Sequence, residues 1–310
     1  MNSVAFIFFE SCFFQKQFLA TEDVIMIIVR LSGGLGNQLF QYAFGKSLAI
    51  EQGCELLLDL RLLERFSIHD GYILNKFNIE AKVAQEEDLL RFAEWKLRVA
   101  NKICNYINPL FNVYTEKSFN YHELPKLANQ DMLFQGYWQA DKYFKRHEDK
   151  IKESLSFKKE FINVNDSFVI DIDSCNAVSL HIRRGDYLSN SDAAKIYYQC
   201  DIEYYRRAID YLKKNTSKPK FFVFSDDINW CLENLSGLGD LHYISYPGSS
   251  AQSDMFLMTK CKHHIIANST FSWWGAWLGH NPNATIVAPK KWFKSKFNSR
   301  DLIAERWVEL

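Results

Sequence analysis

The stretch MIIVRLSGGLGNQLFQYAFGKSLAIEQGCELLLD, residues 26–59, decides the fold class. Met26 opens an apolar run in which Ile27 to Leu31 reads as a strand. A glycine-rich turn, Ser32 to Gly36, leads into a helix with Asn37 as a fitting N-cap and with Leu39, Phe40, Ala43, Phe44 and Leu48 on one face. Gly53 ends that helix, and Glu55 to Asp59 reads as the next strand. Strand, helix and strand in this order form a β-α-β unit.

The alternation returns in the second half. Strand-like runs lie at Ala177–Ile182, Phe221–Phe224, Leu241–Tyr246, His264–Ala267 and Ala284–Val287. Between them, Asp201 is placed to cap a helix with Ile202, Tyr205, Ile209 and Leu212 on one face, and further helices are expected at Ile228–Leu235, Ser253–Lys260 and Thr270–Leu278. The middle is less regular: charged helices over 80–107, a strand at Met132–Phe134 leading into Gly136-Tyr-Trp138, and a solvated helix from Lys145 to Glu160. Strands alternating with helices imply parallel sheets with right-handed crossovers. At roughly 150 residues per domain, 310 residues make about two domains. The expected architecture is α/β, two Rossmann-type domains (26–160 and 161–310) facing across a cleft, with ligands at the carboxyl ends of the strands. Residues 1–25 are expected to lie outside the fold. They are apolar but broken by Glu10, Gln15 and Lys16, and the clean run Val4–Phe9 is far short of the about 20 residues that span a bilayer.

Composition narrows the function. Lys+Arg 37 balances Asp+Glu 37, so no global positive field gathers nucleic acid, and any bound anion needs a local cluster. The 7 cysteines are scattered and never form C-x-x-C, which fits free thiols in a reducing, cytoplasmic setting better than a zinc site or a disulfide framework. No paired His, Asp and Glu set has the spacing of a metal site.

Four clusters carry chemistry. In His181-Ile-Arg-Arg-Gly-Asp-Tyr187, two adjacent arginines at a strand's end repel one another unless a dianion such as a diphosphate lies against them, and the guanidinium fork suits phosphate oxygens. The competing reading is an ionic network with nearby carboxylates. In Phe224-Ser-Asp-Asp227 the carboxylates either accept from a ribose or a guanine or cap the helix that follows. In Asn268-Ser-Thr-Phe-Ser-Trp-Trp-Gly-Ala-Trp277, three hydroxyls gather where a helix begins, an anion site in prospect, while the tryptophans read as core. The turn Gly33-Gly-Leu-Gly-Asn37, with Asp59 after the next strand, has the outline of an NAD-binding unit, but Leu39 stands where the third glycine belongs. The tail Lys290-Lys-Trp-Phe-Lys294, with Lys296 and Arg300, reads as a solvated helix or a peripheral membrane contact.

In this order, IIVRLSGGLGNQLFQYAFG, HIRRGDY, FVFSDD and NSTFSWWGAWL resemble the bacterial α-1,2-fucosyltransferases of glycosyltransferase family 11, from Met26 nearly to the end. The resemblance implies a GT-B-like fold with residues 26–160 as the acceptor-side domain and 161–310 as the GDP-fucose-binding domain, GDP-fucose as donor substrate, and no cofactor or divalent metal. It also implies inverting transfer to the 2-hydroxyl of a galactose in an oligosaccharide or lipid-linked glycan, at the inner face of the membrane or free in the cytoplasm. It places Arg183 and Arg184 on the diphosphate and His181 at the guanine, with Asp226 or Asp227 on guanine or ribose. Ser269, Thr270 and Phe271 join the donor site, as do Gly34, Gly36 and Asn37 of the glycine-rich loop. Asp186 is the first candidate for a general base and Asp192 the second, beside a base-free dissociative path.

Overall fold

The computed structural model describes residues 26–65, 71–90, 92, 112–125, 130–185, 195–294 and 298–310. Residues 1–25, Asp186, Asp192 and most of the expected 80–107 helices lie outside the described residues.

Two parallel sheets form. The first contains β1 (Met26–Arg30), β2 (Glu55–Asp59), β3 (Lys82–Val83), β4 (Val113–Thr115) and β5 (Met132–Gln135) in the order β3-β2-β1-β5-β4. The second contains β6 (Asn176–Ile182), β7 (Pro219–Ser225), β8 (Leu241–Tyr243), β9 (His263–Ile265), β10 (Ile286–Ala288) and β11 (Val308–Glu309) in the order β11-β10-β9-β6-β7-β8. In each sheet the chain first winds outward to one side of its opening strand and then returns to the other. The switch points therefore fall between β1 and β5, and between β6 and β9. Ligands of doubly wound sheets bind in the crevice outside such points.

The helices are α1 (Leu35–Gln52), α2 (Arg61–Arg65), α3 (Glu86–Leu90), α4 (Glu148–Ser154), α5 (Asp166–Asp173), α6 (Ile202–Asn215), α7 (Ile228–Asn234), α8 (Ala251–Lys260) and α9 (Thr270–Trp277). Asp201 caps α6 by accepting the Tyr204 N–H at 2.7 Å, as its sequence position requires. Gly53 takes the left-handed conformation (φ 65°) that closes α1. Two expectations need correction. The Lys145–Glu160 segment is no continuous solvated helix: 3₁₀ turns flank the short α4, and Ile151 and Leu155 are fully buried. Nor are the described residues of the tail, 290–294 and 298–300, helical. Trp292 and Phe293 are core residues, and Phe293 bridges to Tyr197, so the aromatics are not available to a membrane.

One apolar cluster joins the two halves. Phe40 on α1 lies 4.5 Å from the Trp273 ring and 5.0 Å from the Trp274 ring of α9, and Phe144 stacks on Trp274 at 5.5 Å. Glycine makes the approach feasible at both faces of α1. A Cβ at Gly36 would stand 2.5 Å from the Thr270 backbone, and one at Gly45 would stand 2.5 Å from Val29 and 2.8 Å from Leu56. Gly45 thus provides the close helix–strand contact that Leu39 could not.

Filling that contact tests the packing. Gly45→Ala gains about 1 kcal/mol of helix propensity but overpacks α1 against β1 and β2, at about 1–3 kcal/mol. A lowered urea midpoint is expected; a raised one would show that the strands give way freely.

Candidate functional site

Register brings the motifs together. In the β6–β7 pair His181 faces Phe224 and Ile182 faces Ser225, and β9 runs along the other side of β6 with Ile265 opposite Leu180. Three adjacent parallel strands therefore release His181–Gly185, Ser225–Asp227 and Asn268–Thr270 at the same sheet edge. Across the interface, β1 releases the Gly33–Gly34 turn and the first residues of α1 against the start of α9.

Asp226 organises the arginine loop. Its Oδ1 accepts the Arg184 N–H and its Oδ2 the Gly185 N–H, both at 2.9 Å, and the Arg183 guanidinium lies 3.1 Å from Oδ2. Gly185 is needed here, since a Cβ would stand 2.9 Å from the same carboxylate. Asp227 accepts the Trp230 N–H at 3.1 Å, so it caps α7, and its second oxygen lies 3.3 Å from Arg184 Nε. The face of Trp230 underlies the Arg184 guanidinium at 3.8 Å, a cation–π contact that fixes the plane of the fork. The carboxylates thus brace the arginines, the ionic network that the sequence left open. The Asp227 contact uses only Nε of a group with five N–H donors. Trp230 was missed in the sequence; its place in the first turn after the Asp227 cap was the available signal.

His181 is buried, and burial together with the charge of Arg183 pushes its pKa down to about 3, so the ring is neutral. Its Nδ1 has no hydrogen-bond partner among the described residues, and its ring centroid lies 5.4 Å from that of Phe271. The Asn268 side chain donates to the Tyr198 and Trp292 carbonyls, which ties the loop before α9 to the tail.

The three hydroxyls at α9 do not converge. Ser269 is the N-cap residue without a side-chain cap bond, Ser272 donates back to the Ser269 carbonyl at 3.1 Å, and Thr270 Oγ1 donates to Asn37 Oδ1 at 3.1 Å. Asn37 itself is not a cap: α1 begins at Leu35 with Gly34 in the cap position. The Asn37 amide oxygen instead receives both Thr270 and, at 2.9 Å, Gln139 Nε2, so one side chain joins α1, α9 and the Tyr137–Gln139 turn. The positive ends of two helices meet there. Asp186 lies outside the described residues.

On the first sheet, buried Asp59 receives Arg30 Nε at 2.8 Å and Arg61 at 2.8 and 2.9 Å. Burial acts to raise its pKa, but Arg61 and Arg30 outweigh that and hold the carboxyl below its usual range. With both oxygens committed to guanidiniums, Asp59 is not poised as a dinucleotide-ribose acceptor. Among the described residues, no group of three His, Cys, Asp or Glu side chains could hold a metal ion, and no helix is long and apolar enough to cross a membrane.

The family model described as "Glycosyl transferase family 11" matches residues 4–310, starting within the stretch read as an extension. An alpha-1,2-colitosyltransferase of Escherichia coli is 39% identical over 296 residues, covering 92% of this chain and 99% of the relative. The O-antigen biosynthesis glycosyltransferase WbnK of Escherichia coli is 33% identical over 305 residues, with 90% and 99% covered. A solved structure of an Arabidopsis thaliana FUT1 mutant in complex with GDP superposes with a TM-score of 0.51 at 11% identity, covering 92% of this chain and 75% of that one. That likeness concerns the fold, a GT-B arrangement of two Rossmann-like halves.

The buried histidines set an acid limit. His264, whose Nδ1 lies 2.7 Å from Ser179 Oγ, is also pushed down to about 3, by burial and then by the neighbouring His263. Both folded pKa values lie below the unfolded value of about 6.5, so the unfolded chain binds more protons as pH falls. Stability is full above about pH 6.5 and declines by up to about 1.4 kcal/mol per pH unit for each ring down to the folded pKa. Urea midpoints at pH 7 and pH 5 should differ clearly; equal midpoints would mean that the folded protein protonates both rings.

Proposed function

The chain belongs to glycosyltransferase family 11 and is a glycosyltransferase, and from that premise we propose that it transfers L-fucose from GDP-β-L-fucose, with inversion, to the 2-hydroxyl of a galactose residue in a glycan. The observation that carries this reading is the meeting of two braced arginines with the N-terminal end of α9 at one sheet edge.

Breaking the sugar–phosphate bond builds positive charge on the sugar and concentrates negative charge on the departing β-phosphate. Arg183 and Arg184 meet that charge more strongly in the transition state than in the ground state, which lowers the barrier. A group already held in place by Asp226, Asp227 and Trp230 reorganises little when the charge arrives. Asp226 and Asp227 serve in this reading first as posts for the arginines, and the acceptor sites that their oxygens keep are available to guanine or ribose donors. Ser269 and Thr270 lie where the helix N-terminus can add N–H donors, and Gly34, Gly36 and Asn37 form the opposing wall. Neutral His181 beside Phe271 suits the uncharged guanine better than a phosphate. The acceptor proton goes to Asp186 or Asp192, or to solvent along a dissociative path.

No cofactor or divalent metal takes part in this reading. The chain works in the cytoplasm, reaching lipid-linked acceptors at the inner face of the membrane. A second donor has a specific observation behind it: the 39% identical relative is named a colitosyltransferase, so GDP-colitose competes with GDP-fucose as the substrate.

GDP release measured with each donor across a set of galactosides, in EDTA, tests the whole. Turnover with GDP-fucose and a galactoside, unaffected by the chelator, is expected. Turnover with GDP-colitose alone would transfer the reading to that sugar, and loss in EDTA would remove the metal-free route. Arg184→Ala should lose about a hundredfold or more in rate, the scale of removing one preorganised donor to a developing anion. Near-unchanged turnover would refute its role.

A further inference from the structure

The first sheet has its own switch point, and a cleft of about 450 Å³ lies there, at the carboxyl ends of β1, β4 and β5. That size falls within the roughly 300–1,000 Å³ of small-molecule sites. Arg30 and Gln135, joined by a 2.8 Å hydrogen bond, contribute to its lining, as do Glu116, Phe119, Gly136 and Tyr137. The two aromatic rings lie nearly parallel, 14° apart with centroids at 6.0 Å, and Tyr137 is 37% exposed.

The turn that carries Tyr137 is held by one carboxylate. Glu116 accepts the Tyr137 N–H at 2.6 Å and the Trp138 N–H at 3.1 Å. A Cβ at Gly136 would stand 2.4 Å from Glu116 Cβ, so only glycine lets the carboxylate close over the turn. Trp138 then sits at φ 56°, which is unfavourable for a bulky residue, and its ring stacks on Phe44 at 4.0 Å. One residue further on, Gln139 donates to Asn37, which also receives Thr270 of the donor edge. Strain of this kind persists where the surroundings over-determine a conformation, and here they fix an aromatic ring at a cleft mouth two residues from the link to α9.

We infer that Tyr137 is the platform on which the pyranose ring of the acceptor stacks in this cleft, and that Glu116 is the positioning residue that presents the platform. The inference rests on the reading of the chain as a galactoside-modifying transferase. An aromatic face is electron-rich and attracts the polarised C–H face of a hexopyranose, while the hydroxyl edge of the sugar meets Glu116 and Gln135. Each oxygen of Glu116 takes one backbone N–H, and a carboxylate has about four acceptor sites, so capacity for sugar hydroxyls remains.

Two substitutions test it from opposite walls: Tyr137→Ala removes the platform, and Leu62→Trp fills the cleft. Saturation-transfer NMR with methyl β-galactoside reads sugar binding without a donor, calorimetry with GDP reads the donor side, and steady-state kinetics give the acceptor KM. Both variants should lose saturation transfer and raise the acceptor KM at least tenfold while binding GDP within twofold of the parent. Tyr137→Phe, which keeps the ring, should recover most of the affinity, and Glu116→Ala should raise acceptor KM with GDP affinity kept. Unchanged galactoside binding in Tyr137→Ala and Leu62→Trp would overturn the assignment. So would loss of GDP binding in both, since the cleft would then serve the donor. If the parent protein binds the galactoside but no GDP, the proposed donor fails while the cleft stands.

Discussion

The structure depends on how closely α1 can approach α9. Gly36 allows the first turns of the two helices to touch, and Asn37 then receives Thr270 from one side and Gln139 from the other. A side chain at residue 36 would push the second sheet's principal loop away from the glycine-rich turn of the first. That contact brings residues 33–37 to 268–270, and the β6–β9 register sets 181–185 beside 268–270, so three motifs far apart in sequence become neighbours.

Electrostatics at this junction is self-consistent. Two helix N-termini and two arginines bring positive potential to one place, and Asp226 and Asp227 offset part of it. The carboxylates do more than balance charge, because Asp226 also receives the backbone of its own neighbours' loop and Asp227 starts α7. The arginines are therefore already oriented by the protein itself, as the proposed stabilisation of a departing phosphate needs.

Much of this was legible in the sequence, for physical reasons. Apolar runs separated by amphipathic helices marked the strands to within a few residues, because buried parallel strands must be continuously apolar. Asp201 and Gly53 announced their helix ends, since caps act through local geometry. The tryptophans of α9 were readable as core by their density. Asn37 misled because its side chain is satisfied by partners 102 and 233 residues away, which no local pattern encodes. The hydroxyls of α9 have partners of the same hidden kind: Thr270 donates to Asn37 and Ser272 to the Ser269 carbonyl. The Glu116–Gly136 contact and the Trp230 face under Arg184 are likewise products of packing, and the tail aromatics entered the core because Phe293 pairs with Tyr197.

The aromatic cluster shared by the two halves also constrains motion. Phe40, Phe144, Trp273 and Trp274 are fully enclosed where the sheets' helices meet, and exposing side chains of this size costs about 1.5–3 kcal/mol apiece. A wide hinge rotation would break that seam and wet all four rings. Substrate entry and product escape are therefore best served by small displacements of loops and side chains around a fixed joint, and the molecule works more like a vice with stationary jaws than like a pair of swinging doors.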